Sequence, residues 1–236
     1  MAGVYQLQIR SLHVLGYTDW MLLAGVLATA APRSFAQDVV TVGTGSAAPG
    51  TTIDIPVSIR DVSGTSLGLD QPPGARIQAY SLLVNYSPAA AVQSVTFARA
   101  GITAPLTPVF ESSPSGPGSI SLIDTFQESP NLIPFTLNAT APGNQVATLH
   151  VTISPSATVG STITLTLDST LTQLANQAGT MTETVAGGEI TLVAGSISVP
   201  VPVPALSLWG KLLAVAAMVV IAIACMYRYP STGVSR

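Results

Sequence analysis

From Asp38 to Val193 the apolar residues recur at every second position in short runs, and no stretch keeps a 3.6-residue period. This alternation constrains the chain more than any other feature. In Thr51 to Ile59, the side chains of Ile53, Ile55, Val57 and Ile59 fall on one face and those of Thr52, Asp54, Pro56 and Ser58 on the other. Such a pattern belongs to a strand with one face buried. Pro56 has no amide hydrogen to give to a ladder and predicts an edge strand or a bulge. Val146, Thr148, His150 and Thr152 oppose Ala147, Leu149, Val151 and Ile153 in the same way. Nine runs bounded by Gly, Pro or Asn are readable: 38–42, 51–59, 76–86, 92–97, 119–126, 145–153, 161–167, 180–185 and 189–193. With no helical pattern to supply crossovers, the expected architecture is an all-β antiparallel sandwich of two packed sheets.

The two ends read differently. Of 236 residues, 47% are apolar and 8% charged, against about 25% charged in ordinary soluble domains, and the apolar excess lies at the termini. Arg10, an apolar stretch from Trp20 to Ala31, and then Ser34-Phe35-Ala36 before Gln37-Asp38 predict a secretory signal over residues 1–36, cut between Ala36 and Gln37. Pro32 ends the apolar stretch before it reaches spanning length. At the other end, Pro200, Pro202 and Pro204 make residues 197–204 a stiff extended stalk. Residues 205–227 follow with one charge, Lys211, and as a helix would reach roughly 34 Å, enough to cross a membrane. Arg228 and Arg236 without an acidic neighbour mark 228–236 as a cytoplasmic tail and place residues 37–196 outside.

That domain holds ten carboxylates against Arg60, Arg76 and Arg99 and no lysine, a balance of −7. Such a surface repels phosphate backbones, so nucleic acid is excluded as a partner. The single cysteine, Cys225, lies in the C-terminal apolar segment, which rules out an internal disulfide and a cysteine zinc site. After removal of His13 with the signal, His150 is the sole imidazole, and the alternation points it to solvent. No G-x-S-x-G elbow occurs. Gly43-Thr44-Gly45-Ser46 lacks the Gly-Lys-Ser/Thr of a phosphate loop and reads as a turn. Asp124 and Glu128 are the carboxylates to weigh for glycoside hydrolysis, and their place near a strand end reads as a solvated loop. Scattered Asp and Asn in loops could supply oxygen ligands to a structural Ca2+, but no D-x-[DN]-x-[DN]-G calcium loop is present to support one, and no cofactor is expected. Residues 37–196 contain no Trp for stacking on sugars, and Tyr80, Leu82, Val84 and Tyr86 share one face, which is expected to be buried.

Four passages, in order, resemble the cohesin family. They are Ala48-Pro49-Gly50-Thr51-Thr52-Ile53-Asp54-Ile55-Pro56-Val57, Ala79-Tyr80-Ser81-Leu82-Leu83-Val84-Asn85-Tyr86-Ser87-Pro88, Asn144 to Val151, and Gly187-Gly188-Glu189-Ile190-Thr191-Leu192-Val193. The resemblance spans residues 38–194 and implies a nine-stranded jelly roll that is not an enzyme. It also implies a binding face on one sheet that takes a helical dockerin-like module through hydrogen bonds and small apolar contacts. Two other roles stay open: a carbohydrate-binding module on polysaccharide, and a structural matrix or surface-layer protein. The C-terminus resembles bacterial sorting tails of the IPTL-CTERM type through Val203, Pro204, Leu206, Ser207, Trp209 and Gly210, which implies a sorting transpeptidase as a further partner. A plain membrane anchor with Trp209 at the interface is the alternative.

Overall fold

A computed structural model describes residues 36–202 and 216–224. The strands are β1 (Asp38–Val42), β2 (Thr44–Ser46), β3 (Thr52–Arg60), β4 (Ala79–Ser87), β5 (Val92–Arg99), β6 (Pro108–Ser112), β7 (Ser115–Gly116), β8 (Ser119–Phe126), β9 (Asn144–Ile153), β10 (Thr162–Leu167), β11 (Gln173–Ala175), β12 (Thr182–Thr184), β13 (Ile190–Val193) and β14 (Gly195–Ser198). They form two sheets. The first runs β13-β1-β3-β9-β5, and the second β12-β11-β4-β10-β14-β2 with β8 on the free side of β4 and β6 and β7 on β8. Between the sheets lies one apolar core that includes Ile55, Val57, Ile59, Leu82, Leu122 and Leu149, each at most 1% exposed. Tyr80 and Phe126 meet within it, ring centroids 6.2 Å apart at 44°, a tilted packing favoured by the aromatic quadrupoles. The expected burial of Tyr80, Leu82 and Val84 holds, and Tyr86 packs on the core half-buried.

The all-β sandwich expected from alternation is what forms, with two corrections. Fourteen strand segments appear among the described residues where nine were readable. Two pairings are parallel: β1 with β13 and β14 with β2. Both arise at one place, where the first and last parts of the domain change sheets side by side. β1 leaves the first sheet after Val42, passes Gly43 and enters the second sheet as β2; β13 ends at Val193 and re-emerges in the second sheet as β14. A Cβ on Gly195 would overlap the Gly43 carbonyl oxygen, so the two chains can cross this closely only because residue 195 has no side chain. Gly43-Thr44-Gly45-Ser46 is therefore the crossing and strand β2, and the expected turn is not what this segment forms.

Pro56 explains itself here. β3 is an interior strand between β1 and β9, contrary to the edge alternative, and Pro56 is in regular register opposite Thr148; the one shift, between Val57 and Ser58, leaves the extra residue, Val146, on β9. The Pro56 carbonyl accepts the Gly43 amide at 2.8 Å, and the missing Pro56 donor falls where β1 has already turned away, so no ladder bond is lost.

The expected stalk boundary after Ser196 also moves. Ile197 and Val199 are 0% and 1% exposed, and β14 pairs with both β10 and β2. Alternation continues through Val199, and the Pro-rich stretch begins beyond it. Residues 216–224 are helical; among the described residues no helix is long and apolar enough to cross a membrane. Residues 1–35 of the expected signal, the sorting residues Val203, Pro204, Leu206, Ser207, Trp209 and Gly210, and the tail 228–236 lie outside the described residues, as does most of the expected span 205–227.

Candidate functional site

The second sheet turns an uncharged surface outward. On β4 the outward positions are Ala79, Ser81, Leu83, Asn85 and Ser87; on β8, Ser119, Ser121, Ile123 and Thr125; on β10, Thr162, Thr164 and Thr166. None is ionisable. The register sets them in rows, Ser81 beside Ile123, Leu83 beside Ser121, and Asn85 between Ser119 and Thr166; Ser121 itself is buried, its hydroxyl on the Pro114 carbonyl. Leu83 and Ile123 are half-buried, and Phe110 on the flanking β6, next to Thr125 in register, is 52% exposed. Beside β10 the loop at Asp168 adds Leu171, 56% exposed. The Asp168 carboxyl accepts the Thr170 and Leu171 amides at 2.9 Å each, and those bonds hold its pKa below the ordinary carboxylate range. The result is a broad, shallow face of hydroxyls with a thin apolar strip. It can give and accept hydrogen bonds and seat small apolar side chains at low desolvation cost, because no charge need be stripped of water.

The outer face of the first sheet is different. Asp54 and His150 lie opposite each other on β3 and β9, with Oδ1 to Nδ1 at 2.6 Å, and the Thr52 and Thr152 hydroxyls meet at 2.9 Å in the next row. His150 is solvent-facing, as the alternation predicts, and its side chain is 42% exposed. Its carboxylate partner is not readable from the sequence. The pair borders a shallow depression of about 400 Å³ with Pro56, Arg99, Gln145 and Thr148. No Ser or Cys lines it, so His150 has no such nucleophile to activate there.

The two carboxylates weighed for hydrolysis are apart in character. Asp124 is fully buried, a correction to the solvated loop expected for it, and accepts the Tyr80 hydroxyl at 2.7 Å. Loss of hydration is the main cause that pushes its pKa up to about 6. Burial likewise raises Tyr80 above the ordinary phenol value. Glu128, in a helical turn at Glu128–Asn131, is half-buried; it accepts the Gly74 amide at 2.9 Å and faces Arg76 at 3.8 Å. Each has its own structural partners, and they do not flank a common cleft. Arg99 and Glu111, joined at 2.7 Å, tie β5 to β6 and so bridge the two sheets at their open edge.

Sequence reasoning also missed a set of buried acids. Asp38, Asp61 and Glu183 are all 0% exposed. Burial, augmented by Glu183 and Asp61, pushes Asp38 up to about 9, and burial also raises Glu183. The Asp38 Oδ2 and Glu183 Oε2 atoms have no hydrogen-bond partner, so burial favours the protonated form of each. Gln37, at the expected signal junction beside Ala36, is exposed; its amide donates to the Gly188 carbonyl at 2.7 Å and accepts the Thr191 hydroxyl at 2.7 Å, which fixes the start of the domain to β13.

No protein-family model matches the chain, and no curated protein is similar to it. Solved structures do match. The third cohesin ScaC of Acetivibrio cellulolyticus, solved in complex with the ScaB dockerin, is 21% identical, with a TM-score of 0.51 over 70% of this chain and 100% of that one. CaCohA2 from Clostridium acetobutylicum, in its solution structure, is 21% identical, with a TM-score of 0.50 over 72% of this chain and 94% of its own. CaCohA2 in its crystalline complex with a variant of CaDoc0917 gives 22% identity and a TM-score of 0.50 over 69% of this chain and 99% of its own. The sandwich of residues 36–202 is a cohesin-like fold.

Proposed function

We propose that this protein is an exported, non-catalytic cohesin-like module that holds a helical dockerin-like protein on the uncharged outer face of β4, β8 and β10, and is kept at the bacterial surface through its C-terminal segment. The observation that carries the reading is that face: Ser, Thr and Asn rows flanking Leu83 and Ile123, with no ionisable side chain. Flat hydroxyl-rich surfaces suit a helix pair laid across them, since specificity comes from hydrogen bonds and affinity from a few apolar anchors. Two of the solved modules of this fold are in complexes, one of them named as a dockerin complex. Export and attachment are supported by the signal-like N-terminus, the Pro-rich stretch, the apolar segment and the basic end of the sequence. Polysaccharide binding has weaker support, because Phe110 is the only aromatic residue more than one third exposed among the described residues.

The test is binding of purified dockerin modules from the same organism and of insoluble polysaccharide by wild-type protein and Leu83→Arg. A charge at the centre of the face should cost at least tenfold in dockerin affinity, since each 1.4 kcal/mol is tenfold and truncation or reversal at a central anchor exceeds that. Equal dockerin binding by the two proteins would put the contact elsewhere. Retention on polysaccharide with no dockerin binding would replace this reading with the carbohydrate one.

A further inference from the structure

The loop that leaves β3 folds back on two carboxylates. Asp61 is fully buried; its Oδ2 accepts the Leu69 amide at 2.8 Å, and its Oδ1 has no partner. Asp70, at the exposed side of the loop, has its Oδ2 on the Gly64 amide at 3.0 Å. Its Oδ1 has only a long contact of 3.5 Å to the Gln71 amide. Both Oδ1 atoms turn toward one point. A Cβ built on Gly68, which has φ +148°, would lie 2.6 Å from the first and 3.1 Å from the second. Only a residue without a side chain fits there, so both carboxylate oxygens close in on the same side of Gly68.

No basic side chain neutralises that arrangement. Arg60, next to Asp61 in the chain, makes no ion pair among the described residues, and the domain has no lysine. The buried pair Asp38 and Glu183 stands close by, and Asp38 feels the charge of Asp61. The Leu69 amide bond to Oδ2 favours an ionised Asp61, whereas burial and the charge of Asp70 oppose it. A hard divalent cation answers both demands, because it takes several oxygens at once and cancels the charge that burial penalises.

We propose that the loop 61–70 binds Ca2+ between the Oδ1 atoms of Asp61 and Asp70, which converge beside Gly68. Among the described residues no three His, Cys, Asp or Glu side chains gather as metal ligands. Two carboxylates therefore supply the charge, and loop carbonyls and water complete the six to eight oxygens that Ca2+ takes. A site with so few charged ligands belongs with extracellular modules of about 10⁻⁴–10⁻³ M affinity. This inference is independent of the dockerin reading.

The test is thermal unfolding of the full chain in EDTA and in 10 mM CaCl2 or MgCl2. A ligand at ten to a hundred times its Kd should raise the wild-type midpoint by roughly 3–10 °C in a chain of this size. Mg2+ should leave the midpoint within about 2 °C, because it sheds its water reluctantly. Asp70→Asn keeps an oxygen for the Gly64 amide and should match wild type in EDTA but lose the calcium response. Calorimetric titration of the wild-type chain, which needs no variant, should give one Ca2+ per chain. Background heat, an equal rise with Mg2+, or an equal calcium rise in Asp70→Asn would overturn the site.

Discussion

Asp124 shows how one residue sets a pH profile. Its carboxyl sits between the sheets under the Tyr80 hydroxyl, and lost hydration pushes its pKa up to about 6. An acid whose pKa rises on folding binds its proton more tightly in the folded state. Its contribution is complete below the unfolded value near 3.8 and is lost as the pH climbs through about 6. The loss amounts to roughly 3 kcal/mol at most, at 1.4 kcal/mol per unit. Asp38, pushed up to about 9, extends the same trend, so the domain should melt higher at pH 4.5 than at pH 8, the reverse of ordinary acid unfolding. Asp124→Asn should flatten the segment between pH 4 and 6. Tyr80→Phe removes a donor that favours the ionised form, so it should cost on the order of 1–3 kcal/mol at pH 7.5, where a buried charge loses its hydrogen bond, and distinctly less at pH 4.5. Melting curves at the two pH values read this directly, and an equal cost at both would reject the role given to the hydroxyl.

At the scale of elements, stability depends on the place where β1–β2 and β13–β14 change sheets together. Gly195→Ala puts a methyl group on the Gly43 carbonyl, and backbone cannot yield as a side-chain tip can. The expected cost is about 1–3 kcal/mol or more, the range of overpacked cores. Gly116→Ala, whose nearest neighbour is the Ser119 hydroxyl at 3.2 Å, should stay within roughly 0.5 kcal/mol, in line with ordinary surface changes. The last strand makes a second prediction. A chain ended at Ser196 loses the buried Ile197 and Val199, worth about 1.5–3 kcal/mol each, and should melt well below one ended at Pro200; equal midpoints would show β14 to be dispensable. These same elements show where sequence reading runs out. β3 and β9 are legible because four apolar side chains alternate in each, whereas β2, with Thr44-Gly45-Ser46, has too few side chains to show a period. Ile197 and Val199 do alternate, yet the prolines after them mask the strand. The outward Thr positions of β10 follow from alternation alone, and so does the outward His150. That His150 meets Asp54, or that Asp61 and Asp70 face Gly68, depends on register and loop path, which no period within one strand encodes.

For the whole molecule, the proposed attachment has to be reconciled with a domain whose balance of charge is −7. Such a charge favours solubility and opposes self-association, so the proposed attachment is assigned to residues outside the sandwich. The sequence places the Pro-rich stretch, the apolar segment 205–227 and a basic end within about forty residues of Val199. Removal of residues 205–236 should therefore release the protein to the medium. Val219, in the helical stretch 216–224, tests whether that segment enters lipid. Val219→Asp should weaken insertion by about 2.5–3.5 kcal/mol, and membrane-bound protein should fall in proportion. Pro204→Ala and Trp209→Ala leave the apolar segment whole and so separate the two fates of this end: under a sorting reaction they change the processed length while insertion persists, and under plain anchoring they change neither. Fractionation with a blot for chain length reads all four variants in one experiment. A wild-type chain found in membranes at full length rejects processing, and a chain without residues 205–236 that stays membrane-bound moves attachment to another part of the protein.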